Sequence, residues 1–372
     1  MKKILLLLFL LSIVLAIVVW LRHGGGEPFT SIAGTPLIAE SELQEVLAYD
    51  EPIGNVAVSA AGEVFFTIHP ESRPQGNKLM HFVNGASVPF PDVGSQRRLF
   101  DTVLGIVIDR QNRLWTIDHG NHGMRSARLL AFDVATGELI HDQRFDASIA
   151  PAGSYLQDLQ VSRDGRTVII ADASFWRKRP ALIVYDIGTA TARRVLQGHV
   201  SVSAENYVIH NHGNKMTFGA GLVTLKGGVD GIALDQEWLY FGAINAAALY
   251  RIQLADLTDR SAPDSQLAAR VERYADKPLS DGFSIDVAGN VYVTDVEHGA
   301  VFRIAGDREP KTLVRSQRIR WADSLSFGPD GWLYVADSAL FNVVLQSREH
   351  IKANGPYRIY RLQAGIEGTP GQ

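Results

Sequence analysis

The chain has 372 residues, of which 46% are hydrophobic and 20% charged, and it carries a net charge of −4 at pH 7 and no cysteine. The missing cysteines exclude disulfides, thiolate catalysis and cysteine-based zinc sites. No basic block is present, so composition gives no support for a nucleic-acid partner. The 34 glycines, together with many β-branched and aromatic residues, favour a turn-rich β protein over a helical bundle.

The first element is an apolar segment, Ile4 to Leu21, which follows Lys2 and Lys3. Its 18 residues exceed the core of a typical signal peptide, about 7–15 residues, and just reach the length of about 17 that crosses a bilayer. We therefore predict a signal anchor or signal peptide over residues 1–23 and favour an uncleaved anchor. Residues 24–38 are expected to form a flexible tether. Either form of the segment delivers the rest of the chain out of the cytoplasm, as a membrane-anchored or a secreted protein.

A repeated phrase dominates the rest of the chain. The stretch SDGFSIDVAGNVYVTD, residues 280–295, recurs as ADSLSFGPDGWLYVAD, residues 322–337, and six copies begin near residues 54, 104, 158, 230, 281 and 323. Each copy has two apolar runs around a short turn, which is the pattern of a β-hairpin. Most copies are followed by a further apolar segment, so each unit predicts a sheet of about four strands.

Six such sheets predict an all-β fold, a six-bladed β-propeller preceded by an N-terminal hydrophobic helix. The propeller is expected to span residues 39–364, and residues 365–372 are expected to form a flexible tail. A short helix is predicted within SELQEVLAYD, residues 41–50. The segment with His210 and His212, between the third and fourth copies, is predicted to be a solvent-exposed loop rather than a metal site.

Aspartates open and close several of the hairpins. In three copies the two aspartates are fourteen residues apart, and a regular register would place their Cβ atoms about 4.5–5.5 Å from each other. If these hairpins are the innermost ones, the acids of all blades meet at one mouth of the central channel. The candidate ligand-binding residues are therefore Asp118, Asp158, Asp172, Asp230, Asn245, Asp281, Asp295, Glu297, Asp323 and Asp337.

A structural alternative applies to each aspartate taken alone, because an Asp at a strand end often caps a turn by accepting backbone N–H groups. Eight carboxylates at one rim would repel one another, however, unless a cation, protonation or many donors offset their charge. A divalent cation such as calcium would do so, although the residues identify no metal-ligand set.

Histidines and aromatic residues accompany these acids. His119 and His298 closely follow Asp118 and Asp295 and are the candidates for catalytic proton transfer. Phe175, Trp176 and Trp321 are the aromatic candidates for stacking on a protonated amine.

Several of these stretches, taken in order over residues 102–338, resemble the yellow / major royal jelly protein family, including its bacterial members labelled dopachrome-tautomerase-related. The matching phrases include LWTIDHG, GVDGIALD, LSDGFSIDVAGNVYVTDVEHGAV and WADSLSFGPDGWLYVAD. The resemblance implies a six-bladed propeller, usually secreted, with a ligand pocket at the channel mouth; insect relatives include dopachrome-converting enzymes and salivary binders of biogenic amines. It implies channel-mouth roles for Asp118, Asp158, Asp230, Asp281, Asp295 and Asp323.

Two classes of function follow. The first is a binding protein that holds a small polar or cationic molecule at the acidic channel mouth. The second is an enzyme, either a tautomerase-like protein that uses His119 or His298 or, as the alternative, a metal-dependent lactonase of the gluconolactonase type. The expected partners are a small molecule and, through the N-terminal segment, the membrane, and the domain is expected to be monomeric. We also expect Asp281→Asn and Asp295→Asn to change the response to ligand more than folding.

Overall fold

The computed structural model describes residues 1–369 and 371 and confirms the six-bladed β-propeller. Six antiparallel sheets of four strands each surround a central channel. The first strand of every repeated phrase is the innermost strand of its blade, and consecutive innermost strands pack against one another around the channel. The hairpins that carry the aspartates are therefore the innermost hairpins, as the sequence predicts.

The strands of the first five blades are given from the channel outward. They are Ile53–Val58, Val64–Ile68, Leu79–Val83 and Ala86–Pro89 in blade 1; Val103–Ile108, Arg113–Asp118, Arg128–Asp133 and Leu139–Arg144 in blade 2; and Leu156–Val161, Thr167–Asp172, Ala181–Asp186 and Thr191–Val195 in blade 3. Blade 4 contains Val229–Leu234, Trp238–Ala243, Ala248–Gln253 and Glu272–Asp276, and blade 5 contains Phe283–Ile285, Val291–Asp295, Ala300–Ile304 and Pro310–Arg315.

Blade 6 closes the ring with strands from both ends of the domain. Ala322–Phe327, Trp332–Asp337 and Tyr357–Gln363 come from the last repeat, and the fourth strand is Gln44–Tyr49. The short helix predicted within residues 41–50 is therefore wrong beyond the single turn Glu40–Glu42. The last repeat supplies only three strands, and pairing with Tyr357–Gln363 satisfies the backbone groups of Gln44–Tyr49 better than local helix formation does.

The N-terminal helix spans Lys2–His23, and its apolar side chains are exposed. It is the one described helix long and apolar enough to cross a membrane. The segments predicted to be a tether and a tail make defined contacts with the propeller. Glu27–Pro28 pair in parallel with Tyr207–Val208, and the Thr369 N–H donates to the Ile285 carbonyl at 2.9 Å.

The insertion between blades 3 and 4 lies across the channel mouth. It contains the two short hairpins His210–Asn211/Asn214–Lys215 and Thr217–Phe218/Val223–Thr224. Its Asn211 is fully buried, and Nδ2 donates to carbonyls of blade 5 and blade 6 loops. The prediction of a solvent-exposed loop is therefore wrong for the buried Asn211 and confirmed for His212 to Lys215. The other described helices are Val93–Leu99, Gly120–Gly123, Leu254–Thr258, Asp264–Arg270 and Arg348–Ala353, with single turns at Pro70–Ser72, Val200–Val202, Pro329–Gly331 and Leu340–Asn342.

Candidate functional site

The innermost hairpins do not have the regular register that the fourteen-residue spacing suggested. In blade 6, Ala322 pairs with Asp337 and Ser324 pairs with Ala336, so Asp323 is the extra residue of a β-bulge. A bulge leaves its extra residue outside the ladder and turns the side chain in a new direction. The two aspartates of this hairpin therefore do not face each other, and the prediction of a facing pair is wrong.

Blade 3 departs from the regular pattern in its own way. Leu156 pairs with Asp172 and Leu159 with Ile170, which leaves both Gln157 and Asp158 within the irregular stretch. In blade 6, Asp323 directly follows the residue that pairs with the closing aspartate, and in blade 3 the residue at that position is Gln157. Asp158 lies one residue further along its strand. Equal spacing in the sequence therefore hides two different positions in the structure.

Glycines beside the opening aspartates let neighbouring blades approach closely. A Cβ added to Gly231 would lie 2.3 Å from the Asp281 carbonyl oxygen, and one added to Gly282 would lie 2.6 Å from the Asp323 carbonyl oxygen. Such distances leave no room for a side chain. Glycine therefore allows Asp230, Asp281 and Asp323 to gather at one end of the channel.

These three aspartates and Asp158, here called the opening carboxylates, receive few hydrogen bonds. Asn55 Nδ2 donates to Asp158 Oδ1 at 2.9 Å, and Trp321 Nε1 donates to Asp281 Oδ2 at 2.7 Å. Asp230 accepts a hydrogen bond from Gln157 Nε2. Asp323 Oδ2 is buried without a hydrogen-bond partner, and the nearest cationic candidate, His69 Nε2, is 3.8 Å away.

Burial dominates the charge state of the opening carboxylates. It raises the pKa of Asp281 to about 6, against the opposing hydrogen bonds from Trp321 and Asp230 and the charge of Lys277. Burial and repulsion from Asp281 together raise the pKa of Asp158, Asp230 and Asp323 well above the ordinary value. Asp230 and Asp281 also share a hydrogen bond, which requires a proton on one of the two carboxyls.

The closing carboxylates, Asp118, Asp172, Asp295 and Asp337, have the opposite surroundings. Asp337 Oδ1 accepts the N–H groups of Arg320 and Trp321, both at 2.8 Å, while Oδ2 accepts Arg320 Nε at 2.8 Å. Asp172 accepts two backbone N–H groups and Arg194 Nη2. Asp118 accepts three backbone N–H groups and the Thr102 hydroxyl, and Asp295 accepts two backbone N–H groups of its own loop. Each closing carboxylate therefore fixes the loop at the end of its own hairpin.

A cavity of about 170 Å³ opens above the opening carboxylates, at the channel mouth. Most of its lining residues are aromatic or aliphatic and come from blade loops and from the insertion, and we call them the walls; the six polar lining residues are called the floor. The wall residues are Ala173, Phe175, Trp176, Phe218, Leu225, Ile244, Leu340, Val344 and Leu345. The floor residues are His69, Glu71, His122, Tyr155, Gln157 and Asp281.

Glu71 and His122 form a close pair on this floor. His122 Nε2 lies 2.9 Å from Glu71 Oε1, and the His122 ring stacks on Tyr155 with centroids 4.5 Å apart. Although burial raises the pKa of Glu71, the hydrogen bond and charge of His122 bring it down to about 2. Glu71 is therefore a carboxylate at neutral pH.

The neighbouring histidines are neutral. Burial lowers the pKa of His69 to about 4 and that of His119 well below its ordinary value. His119 Nδ1 accepts the His122 N–H at 2.9 Å, so the proton is on Nε2, which is buried without a hydrogen-bond partner. His69 and His119 therefore add no positive charge beside the carboxylates of Glu71 and Asp281.

Three other predicted site residues lie away from the cavity. Asn245 is fully buried and ties the insertion to blade 4 through Gly227, Tyr207 and Leu225. Glu297 accepts the His210 N–H, and burial raises the pKa of Glu297 to about 7. His298 Nδ1 lies 2.9 Å from Asp295 Oδ2, and this hydrogen bond raises the pKa of His298.

Sequence reasoning missed His69, Glu71, Tyr155 and Gln157 and did not select His122. One signal was available, because His69 follows the second strand of blade 1 as His119 follows the second strand of blade 2. Glu71 lies in a loop outside the repeated phrase, and Tyr155 directly precedes the first strand of blade 3. They come together only when the blades form a ring.

The lactonase alternative needs a bound divalent cation. Within residues 1–369 and 371, no group of three or more His, Asp or Glu side chains is arranged to hold a metal ion. The opening carboxylates instead contact amide and indole donors and one another.

Comparisons with known proteins agree with this architecture. The family model described as major royal jelly protein matches residues 101–344. A search of curated proteins finds no significant match.

Solved structures give the same fold at low identity. A luciferin-regenerating enzyme is 12% identical, with a TM-score of 0.57 over 88% of this chain and 97% of that one. The calcium-binding protein regucalcin from Agrobacterium tumefaciens is 15% identical, with a TM-score of 0.57 over 91% and 97% of the two chains. A gluconolactonase from Xanthomonas campestris is 14% identical, with a TM-score of 0.54 over 94% and 98%. These likenesses establish the fold alone.

Proposed function

This chain belongs to the major royal jelly protein family, and from that premise we propose that it binds a small cationic molecule with an aromatic or apolar body in the cavity at its channel mouth. The observation that carries the proposal is the contrast within one cavity, where apolar and aromatic walls stand over a floor that holds Glu71 and Asp281. A protonated amine pairs with a carboxylate while its body is covered by aromatic rings.

The acidic side chains of the floor favour a positively charged ligand. Glu71, with a pKa of about 2, is ionised at neutral pH, and Asp281, with a pKa of about 6, is largely ionised. His69 and His119 add no positive charge because burial lowers their pKa values. A cation bound here relieves repulsion between buried carboxylates, whereas an anion increases it.

A matched pair of probes tests this proposal. Dopamine and 3-(3,4-dihydroxyphenyl)propionate share the catechol ring and differ in the charge of the side chain. We expect dopamine to give saturable heat in isothermal titration calorimetry and to raise the melting temperature, and the propionate to do neither. Equal binding of both compounds would contradict a cation site.

We also propose that the domain works outside the cytoplasm and is held at the membrane as a monomer by Lys2–His23. Support comes from the length and apolar composition of this helix and from Lys2 and Lys3 before it. Fractionation with an alkaline carbonate wash tests the anchor. A protein that stays in the membrane pellet is the expected result, and release into the wash would contradict it.

A tautomerase-like activity on the same ligand class is a second candidate, and the 2.9 Å contact between His122 and Glu71 at the cavity favours it. In such a reaction an aminochrome-type substrate loses a proton from carbon and gains one at oxygen, without net oxidation. His122 is better placed for this transfer than the predicted His298, because His122 faces the cavity. This candidate predicts that the wild type converts dopachrome, that His122→Ala loses this activity and that His298→Ala keeps it. Absence of conversion by the wild type would contradict it.

A further inference from the structure

The N-terminal helix ends on the same face of the propeller as the cavity. His23 is buried, and its ring centroid lies 6.3 Å from that of Phe175 and 5.8 Å from that of Trp176. Arg22 Nη2 donates to the Arg177 carbonyl at 3.0 Å. Phe175 and Trp176 also line the cavity, so no spacer separates the end of the apolar helix from the cavity rim.

The residues after the helix hold it to a second part of the rim. Lys226 Nζ donates to the Gly24 carbonyl at 3.0 Å, and Thr224 Oγ1 donates to the Gly25 carbonyl at 2.9 Å. Glu27–Pro28 then pair with Tyr207–Val208 of the insertion. The end of the helix and the residues after it are therefore attached both to the blade 3 loop that contains Arg177 and to the insertion.

The length of the helix determines where these loops lie relative to a bilayer. Lys2–His23 has 22 residues, which at about 1.5 Å per residue is about 33 Å and close to the hydrocarbon thickness of about 30 Å. If the helix spans the bilayer, its last turn lies at the membrane–water interface. Side chains in contact with Arg22 and His23 must then lie at the level of the lipid headgroups.

The surface around this contact has the composition of a membrane interface. Trp176 is 41% exposed, Leu222 37% and Leu345 66%. Arg177 and Lys178 follow Trp176 in the chain, and Lys226 follows the hairpin that contains Leu222. Trp20 at the end of the helix is also exposed. Tryptophan with lysine and arginine is the combination enriched at the headgroup level of membranes. We call this set the rim surface; it consists of Trp176, Arg177, Lys178, Leu222, Lys226 and Leu345.

Resting on the proposed membrane anchor, we propose that the rim surface lies against the lipid headgroups, so that the cavity opens at the bilayer surface and takes amphipathic cations from it. The basic rim suits anionic phosphates, and the carboxylates of the floor suit the cationic end of the ligand.

The absence of cysteine from the chain allows a clean test with the full-length protein. Nitroxide labels are attached at Leu222→Cys and Leu345→Cys on the rim surface and at Val287→Cys, a 59% exposed position in a hairpin turn at the other end of the channel. The proteins are placed in nanodiscs of phosphatidylcholine and phosphatidylglycerol in equal amounts. Electron paramagnetic resonance then compares collision of each label with oxygen and with a water-soluble nickel chelate.

We expect the ratio of oxygen to nickel accessibility to be several-fold higher at both rim labels than at the Val287 label. The variant Arg177→Gln, which leaves the contact of Lys226 with Gly24 in place, should lower the rim ratios toward the control. Equal ratios at all three labels, in protein that resists the carbonate wash, would overturn the rim contact and leave the anchor intact. Release of the protein by the wash would overturn the anchor and the rim contact together, while dopamine binding would still be tested separately.

Discussion

Aspartates at the two ends of the same hairpin have opposite surroundings. In blade 6, Asp337 is 0% exposed and accepts two backbone N–H groups and the Arg320 guanidinium, whereas Asp323 is 7% exposed and has an oxygen with no hydrogen-bond partner. Burial therefore does not separate a structural carboxylate from a candidate ligand-binding one. The number of hydrogen-bond donors does separate them, because a buried charge destabilises the fold until donors or a counter-charge offset it.

The same contrast runs around the ring. The closing carboxylates fix loops through several donors each, whereas the opening carboxylates crowd together, so that repulsion from Asp281 adds to burial in raising the pKa of Asp158, Asp230 and Asp323. A protein that gathers acids in this way stabilises them by keeping protons or by binding a cation. Substitution of a closing carboxylate should therefore change stability, and substitution of an opening carboxylate should change the response to pH and to ligand.

Removal of a closing carboxylate should cost the most stability. Asp337→Ala leaves two buried N–H groups and Arg320 without their acceptor, and we expect a loss of about 3–5 kcal/mol in the free energy of unfolding. Denaturant titration measures it. The control is Asp142→Ala, which removes a 41% exposed partner of Arg128 and should cost less than about 1 kcal/mol. Equal losses in the two variants would contradict the structural role of Asp337.

The stability effect at an opening carboxylate should depend on pH. Burial raises the pKa of Asp281 to about 6 in the folded state, so its proton stabilises the fold at low pH and this stability is lost as pH rises from about 4 through about 6. Asp281→Asn does not ionise there, so it should gain about 1–3 kcal/mol relative to the wild type over that range. Unfolding titrations at both ends of the range measure the gain, and a constant difference would contradict it.

Binding of an amine should have the opposite dependence on pH. The ionised form of Asp281 attracts the amine, so dopamine affinity should fall by up to about 10-fold per pH unit below about 6 and level off above it. Glu71, with a pKa of about 2, stays ionised throughout and adds no slope. Calorimetric titrations across this range check the prediction, and Asp281→Asn, which should show no slope, is the control.

The smallest effect is expected at His298. Its ring is paired with Asp295 and does not line the cavity. His298→Ala should change the unfolding free energy by about 1 kcal/mol or less and leave dopamine affinity as in the wild type. A large loss of affinity would place His298 in the site after all.

The sequence was sufficient to predict the six blades but not the arrangement of the residues at the cavity. Repeat spacing placed the six hairpins because each blade is a local unit with its own turn. It could not reveal the bulge at Asp323, since fourteen residues separate Asp158 from Asp172 and Asp323 from Asp337 alike.

Contacts between distant parts of the chain were also out of reach. Gln44–Tyr49 becomes a strand only because blade 6 needs a fourth one, and Glu71 meets His122 only across two blades. The insertion carries no repeat pattern, yet it supplies Phe218 and Leu225 to the cavity wall. Such features depend on ring closure, which local patterns do not encode.

The most direct test is dopamine calorimetry combined with thermal melting on Asp281→Asn and Asp295→Asn. The surroundings of the two carboxylates predict that Asp281→Asn raises the melting temperature at neutral pH, as the stability gain described above requires, and loses at least about 10-fold in affinity. Asp295→Asn should lower the melting temperature and keep the affinity, contrary to the expectation from the sequence, because Asp295 accepts two backbone N–H groups of its own loop. Equal losses of affinity with unchanged melting in both variants would contradict the division into opening and closing carboxylates.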